Sequence, residues 1–130
     1  MHLGYVILYV PDVEDALAFY ERAFGLDRGF VHESGDYAEL ATGATVLAFA
    51  ADELAASNFP AAYRRADPAL PPPAFEVAFV TEDVGAAFAR AVEAGAAVLS
   101  QPTQKPWGQT VAYVRDGNGV VVELCTPVGG

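Results

Sequence analysis

Residues 3–26 read LGYVILYVPDVEDALAFYERAFGL, and residues 75–95 read FEVAFVTEDVGAAFARAVEAG. Each stretch begins with a run of β-branched and aromatic residues, as in a strand covered on much of both faces. An aspartate comes next, Asp12 in the first and Asp83 in the second, where a side chain can accept from the free N–H groups of a starting helix. The apolar residues then take helical spacing: Val13, Ala16, Leu17, Tyr20 and Phe24 in one, Val84, Ala87, Phe88, Ala91 and Val92 in the other. A glycine stops each, Gly25 and Gly95.

The segments after the two helices are also alike. After the first, strands are expected around 28–33, 36–41 (DYAELA) and 44–50 (ATVLAFA), separated by Ser34-Gly35-Asp36 and Thr42-Gly43. After the second they are expected near 96–100, 109–115 (QTVAYVR) and 120–126 (VVVELCT), the last two joined by the hairpin signal Asp116-Gly117-Asn118-Gly119. Strand, capped helix and three strands thus occur twice in order, about half a chain apart, which is a duplication. The expected fold is α+β: two tandem βαβββ units in a single domain, 1–130. Unit one is 1–50 and unit two 75–130. Between them, 51–74 (ADELAASNFPAAYRRADPALPPPA) reads as a helical turn and then a proline-extended crossover, either a plain linker or a cover for the site.

The bulk composition bounds the partners. Of 130 residues 53% are apolar and 18% charged, a globular composition with enough chain for one core. Seventeen acidic and seven basic residues give a formal charge of −10, which repels a phosphate backbone and favours cationic ligands, so no nucleic acid is expected. No apolar run approaches the roughly 18–20 residues that span a bilayer, and no basic segment precedes the first strand. One cysteine, Cys125, excludes an internal disulfide. A cytoplasmic protein with no membrane partner is the expectation.

Two segments, YVPDVEDALAFYERAFGL (9–26) and PWGQTVAYVRDGNGVVVEL (106–124), make the whole chain resemble the vicinal oxygen chelate superfamily, which includes glyoxalase I, bleomycin-resistance proteins and extradiol dioxygenases. The resemblance implies that each unit curls its sheet into half a barrel and that the two halves form a U-shaped cleft. It also implies that metal-using members take ligands from the first and last strands of each unit. Those positions fall on Tyr5 and Ala48 in unit one and on Glu76 and Glu123 in unit two.

Period-two alternation bears on these faces independently. Tyr5, Ile7 and Tyr9 share one face of their strand, Glu76 shares one with Ala78 and Val80, and Glu123 shares one with Val121 and Cys125. Tyr37 and Glu39 alternate against Ala38 and Leu40. A carboxylate inside an otherwise apolar strand must face water or a polar cleft, because burying it unpaired is costly. The candidate ligand-binding residues are therefore Tyr5, Ile7, Tyr37, Glu39, Ala48, Glu76, Trp107 and Glu123. Trp107, between Pro106 and Gly108, has the shape to stack on a planar ligand, although edge packing is the plainer role.

A catalytic metal of this superfamily usually takes two histidines with carboxylates. Tyr5, Ala48, Glu76 and Glu123 lack them, and the histidines are His2 and His32, away from these positions. No cofactor is expected; if a divalent ion binds, Mg²⁺ or Mn²⁺ held by Glu76 and Glu123 is the form it would take. Cys125 reads as a small buried residue with no histidine to activate it. Three functions remain open. One is a metal-independent protein that sequesters a drug or metabolite, cationic or aromatic, as the bleomycin-resistance branch does, by resemblance a homodimer. Another is a glyoxalase-like lyase, isomerase or epimerase with Glu76 or Glu123 as catalytic base or weak metal ligand. The third is an accessory or sensing domain.

Overall fold

The structure is a computed structural model, described for residues 1–129, and both repeats form in order. The first holds β1 (Tyr5–Val10), α1 (Val13–Phe24), β2 (Arg28–Val31), β3 (Tyr37–Leu40), β4 (Val46–Ala51) and the short α2 (Asp52–Ser57). The second holds β5 (Glu76–Val80), α3 (Val84–Glu93), β6 (Ala97–Gln104), β7 (Thr110–Arg115) and β8 (Val121–Cys125). By contact the chain divides at Ala66/Asp67 into two compact units, with Arg22–Phe24 grouping with the second.

Each unit builds one open four-stranded sheet, in the orders β1-β4-β3-β2 and β5-β8-β7-β6. The last strand of each unit inserts beside the first and runs parallel to it, Tyr5 opposite Val46 and Glu76 opposite Val121. Parallel neighbours need a long crossing connection, and the helix with its two following strands supplies it. In unit one Asp12 Oδ1 accepts from Asp15 N at 2.9 Å, and Gly25 closes α1 at φ 67°. In unit two Asp83 Oδ1 accepts from Ala86 N at 3.0 Å. These are the two starts the sequence marks.

The helix sides of the sheets form the cores. In unit one Leu17 and Tyr20 of α1 are buried with Leu8, Val10, Leu40 and Phe49, and the Tyr20 and Phe49 rings meet edge-on at 5.0 Å. In unit two Val84 and Ala91 of α3 are buried along with Ala112, Val114, Val122 and Leu124. The expected stripe on α3 is incomplete, since Val92 stays 38% exposed. β6 also runs further than the expected 96–100, to Gln104; it is the sheet edge and is exposed at every residue, so no burial alternation marks its end.

The 51–74 segment is fastened in both units. Tyr63 and Arg65 reach Asp52 in unit one. In unit two Arg115 donates to Leu70 O at 2.8 Å and Pro68 O at 3.3 Å. The β7–β8 hairpin is set by Asp116, whose Oδ1 accepts from Asn118 N and Val120 N, both at 2.9 Å. No helix among the described residues is long and apolar enough to cross a membrane.

Candidate functional site

In unit two, the register lines up one row of side chains on the face away from the core. Ala78 of β5 lies opposite Glu123 of β8, and Glu123 opposite Tyr113 of β7. One step along, Val80 lies opposite Cys125 and Cys125 opposite Val111. Because side chains alternate, Glu76, Glu123, Tyr113 and Cys125 share this face, while Val122, Leu124, Ala112 and Val114 point into the core.

The row is chemically connected. The Tyr113 hydroxyl donates to Glu123 Oε1 at 2.9 Å. Burial, that hydrogen bond and the Glu123 charge push the Tyr113 phenol up to about 12. The Glu76 carboxyl is raised above the ordinary carboxylate range by partial desolvation, by the charge of Glu123 and by a hydrogen bond to Glu123. A neighbouring negative charge disfavours ionisation of a carboxyl group, which gives the Glu76 shift its upward sign. Cys125 is buried, its thiol donating to Phe79 O at 3.8 Å. Burial first, then the hydrogen bond to Glu123 and the charges of Glu123 and Glu76, push it up to about 11. It stays a thiol at neutral pH, and only a thiolate is a strong nucleophile.

Trp107 sits in the turn between β6 and β7 and is 63% exposed. Its indole Nε1 donates to Gln109 Oε1 at 2.9 Å, and Gln109, itself buried, donates from Nε2 to Thr126 O at 2.8 Å. The indole is thus anchored at its N–H with its ring in solvent.

In unit one, Tyr5, Ile7 and Tyr9 share the helix-free face with Ala48 and Ala50 of β4 and with Tyr37 and Glu39 of β3. The Tyr37 hydroxyl donates to Glu39 Oε2 at 2.8 Å. Burial, Glu39 and Tyr5 push the Tyr37 phenol up to about 12. Tyr5 and Ile7 are exposed, whereas Ala48 is fully buried. The two histidines lie elsewhere: His2 precedes β1, and His32 Nδ1 meets Ser34 Oγ at 2.7 Å in the turn after β2.

The register equates Tyr5 with Glu76 and Ala48 with Glu123 as the first- and last-strand positions of the two units. Neither unit by itself offers a metal ion a full donor set at these positions. In unit one Ala48 has no donor atom, and tyrosine is not among the usual oxygen ligands of such an ion. Glu123 already accepts from Tyr113. Among the described residues no three His, Cys, Asp or Glu side chains converge to hold an ion. What the row offers instead is a hydrogen-bonding, anionic patch of mixed donors and acceptors. The sequence did not single out Tyr113 or Gln109; counting outward from the Asp116–Gly119 turn places Ala112 opposite Glu123, one residue off the observed register, in which Asp116 N donates to Val120 O and Tyr113 faces Glu123.

Comparison with known proteins gives a family-level match. The model of the Glyoxalase/Bleomycin resistance protein/Dioxygenase superfamily matches residues 2–124. No curated protein matches the chain. Among solved structures, a glyoxalase-related enzyme from Fulvimarina pelagi superposes with a TM-score of 0.83 at 20% identity, covering 98% of this chain and 88% of that one. TioX from Micromonospora sp. ML1 gives 0.72 at 23% identity, over 97% and 98% of the two chains. A glyoxalase/bleomycin resistance protein/dioxygenase family enzyme from Burkholderia phytofirmans PsJN gives 0.73 at 22%, with the same coverage. At these identities the likeness is one of fold.

Proposed function

The chain belongs to the glyoxalase/bleomycin resistance protein/dioxygenase superfamily, and from that premise we propose that it binds a small molecule without a metal ion, sequestering a drug or metabolite. The observation that carries this reading is the Glu76–Glu123–Tyr113 row. It places two carboxyl groups and a phenol on one face, with the Tyr113 hydroxyl donating to Glu123, and among the described residues no three His, Cys, Asp or Glu side chains converge to hold an ion. A protonated basic nitrogen or a hydroxyl on the ligand would replace the hydrogen bond between the two carboxyls. An ammonium beside Glu76 would favour its ionised form and so oppose the upward shift. Trp107 offers an exposed ring for a planar part of the ligand. The protein is proposed to work in the cytoplasm as a homodimer.

A second reading is a lyase or isomerase, and the raised Glu76 carboxyl favours it. A base tuned upward from the ordinary range transfers protons better near neutral pH. In that case the ionised Glu76 would take a proton from substrate, and the Tyr113 hydroxyl would turn from Glu123 to donate to the negative charge that develops there.

Thermal-shift screening of basic and aromatic metabolites and antibiotics, with metal analysis of the dialysed protein and light scattering for its mass, tests the proposal. A stoichiometric ligand with no bound metal is expected. A tight metal ion at Glu76 and Glu123 would overturn it. With a ligand in hand, Glu123→Gln should change affinity modestly under the binding reading and abolish turnover under the catalytic one.

A further inference from the structure

The crossover delivers to unit one a side chain that periodicity does not reveal. Tyr63 stands edge-on to Tyr9, ring centroids 5.1 Å apart at 61°, and Phe59 lies 6.5 Å from it. Tyr9 belongs to the helix-free face, in the row Tyr9–Ala50–Tyr37. The Tyr63 hydroxyl donates to Asp52 Oδ1 at 2.5 Å and to Asp52 O at 3.2 Å. Arg65 Nη1 lies 3.8 Å from the other carboxylate oxygen, Oδ2.

Asp52 is the unusual member of this group. It opens α2 and is only 5% exposed, although aspartate is among the residues least often buried. A buried carboxylate is costly unless partners satisfy it. Both partners, Tyr63 and Arg65, come from the same few crossover residues. The carboxylate is therefore satisfied only while that stretch lies where it does, and it holds the Tyr63 ring against Tyr9.

We infer that Tyr63 is a ligand-contact residue of unit one, forming with Tyr9 an aromatic corner for an apolar or aromatic molecule on that unit's helix-free face, and that Asp52 is its positioning residue. The contact role rests on the reading that the helix-free face receives ligand; the positioning role does not. Asp52 touches no ligand in this arrangement and acts through Tyr63.

Limited trypsin digestion reads the positioning, because Arg64 and Arg65 are exposed cleavage sites inside the held stretch. Asp52→Asn and Tyr63→Phe should be cut there roughly tenfold faster or more than wild type, the factor expected from losing one hydrogen bond to a charged group. Cleavage at Arg28 and Arg90 and the melting temperature should stay near wild type, which separates local release from unfolding. Unchanged rates after Arg64 and Arg65 would overturn the positioning role.

Nile red fluorescence titration, with the dye as a neutral aromatic probe, reads the contact. Tyr63→Ala should weaken dye binding about fivefold or more, a modest loss for removing one aromatic wall. Asp52→Asn should weaken it less, and adding it to Tyr63→Ala should bring no further loss. Unchanged or tighter binding in Tyr63→Ala would overturn the contact role. A wild-type protein that binds no dye would overturn the contact role together with the face it rests on, leaving the digestion result to decide Asp52 alone.

Discussion

Replacing Glu76 by Gln changes one atom of the carboxyl pair and keeps a donor for Glu123. In the native protein Glu76 is held above its ordinary value of 4.5, by partial desolvation and by Glu123. The sign comes from proton counting. Above pH 4.5 the unfolded chain releases the Glu76 proton while the folded chain retains it. The folded state then binds more protons, and stability falls as pH rises from 4.5 through the raised value. Below that window both states are protonated and the substitution should have no effect. Two full charges about 4 Å apart repel by about 1 kcal/mol in water and about 4 kcal/mol at an effective dielectric of ~20. Glu76 is exposed, so the screened end of that range applies, and Glu76→Gln should stabilise by about 1 kcal/mol at pH 7.5. For a chain of 130 residues, an unfolding entropy of about 2.1 cal/mol/K per residue turns that into a rise in Tm of about 4 °C. Melting curves for both proteins at pH 4 and pH 7.5 measure it. Parallel pH profiles, or a variant less stable at pH 7.5, would refute the upward shift of Glu76.

The Tyr113 bond gives an alkaline counterpart: Tyr37 and Tyr113 should ionise near 12 when absorbance at 295 nm is followed against pH. Both folded values lie above the ordinary 10, so their contribution to stability is present below 10 and is lost as pH rises from there to about 12. Tyr113→Phe should remove its share of that loss and cost about 1 kcal/mol at neutral pH by urea denaturation, the discounted worth of a half-exposed hydrogen bond to a carboxylate. Gly119→Ala should cost about 2 kcal/mol or more. Gly119 has φ 91°, and an added Cβ would stand 2.5 Å from Arg115 Nη2 and 2.9 Å from Pro68 Cα. A loss under ~0.5 kcal/mol, within the range of an ordinary surface change, would show that the turn yields easily.

How much of this was legible depends on the signal each feature uses. The two helix starts were plain because Asp12 and Asp83 do the same local job, accepting from an N–H three residues on. The faces of β1, β5 and β8 were legible because one side of each sheet is buried, and period two then fixes every side chain. β6 lacked that signal, being exposed throughout. Tyr113 was missed by one residue, since the hairpin closes between Asp116 and Val120 and the turn read as 116–119 faces Glu123 with Ala112 instead. Tyr63 and Asp52 carried none. Their contact joins a helix start to an irregular stretch eleven residues away, and no periodicity spans it.

The repeat that makes the fold readable also exposes how its two copies have diverged. In each unit a phenol donates to a glutamate on the helix-free face, but the two pairs are built differently. Tyr37 and Glu39 are neighbours along β3, whereas Tyr113 and Glu123 face each other across β7 and β8. Glu39 lies opposite Ala48, just as Tyr113 lies opposite Glu123. Unit one therefore carries its carboxylate one strand further from the first strand than unit two does. A metal ion needs donors converging on one point, and moving a carboxylate across a strand shifts it by about 4.8 Å, roughly twice a metal–oxygen bond. The displaced pair in unit one is therefore not a second copy of the unit-two row, and a ligand on either unit would meet its carboxylate and phenol in a different arrangement.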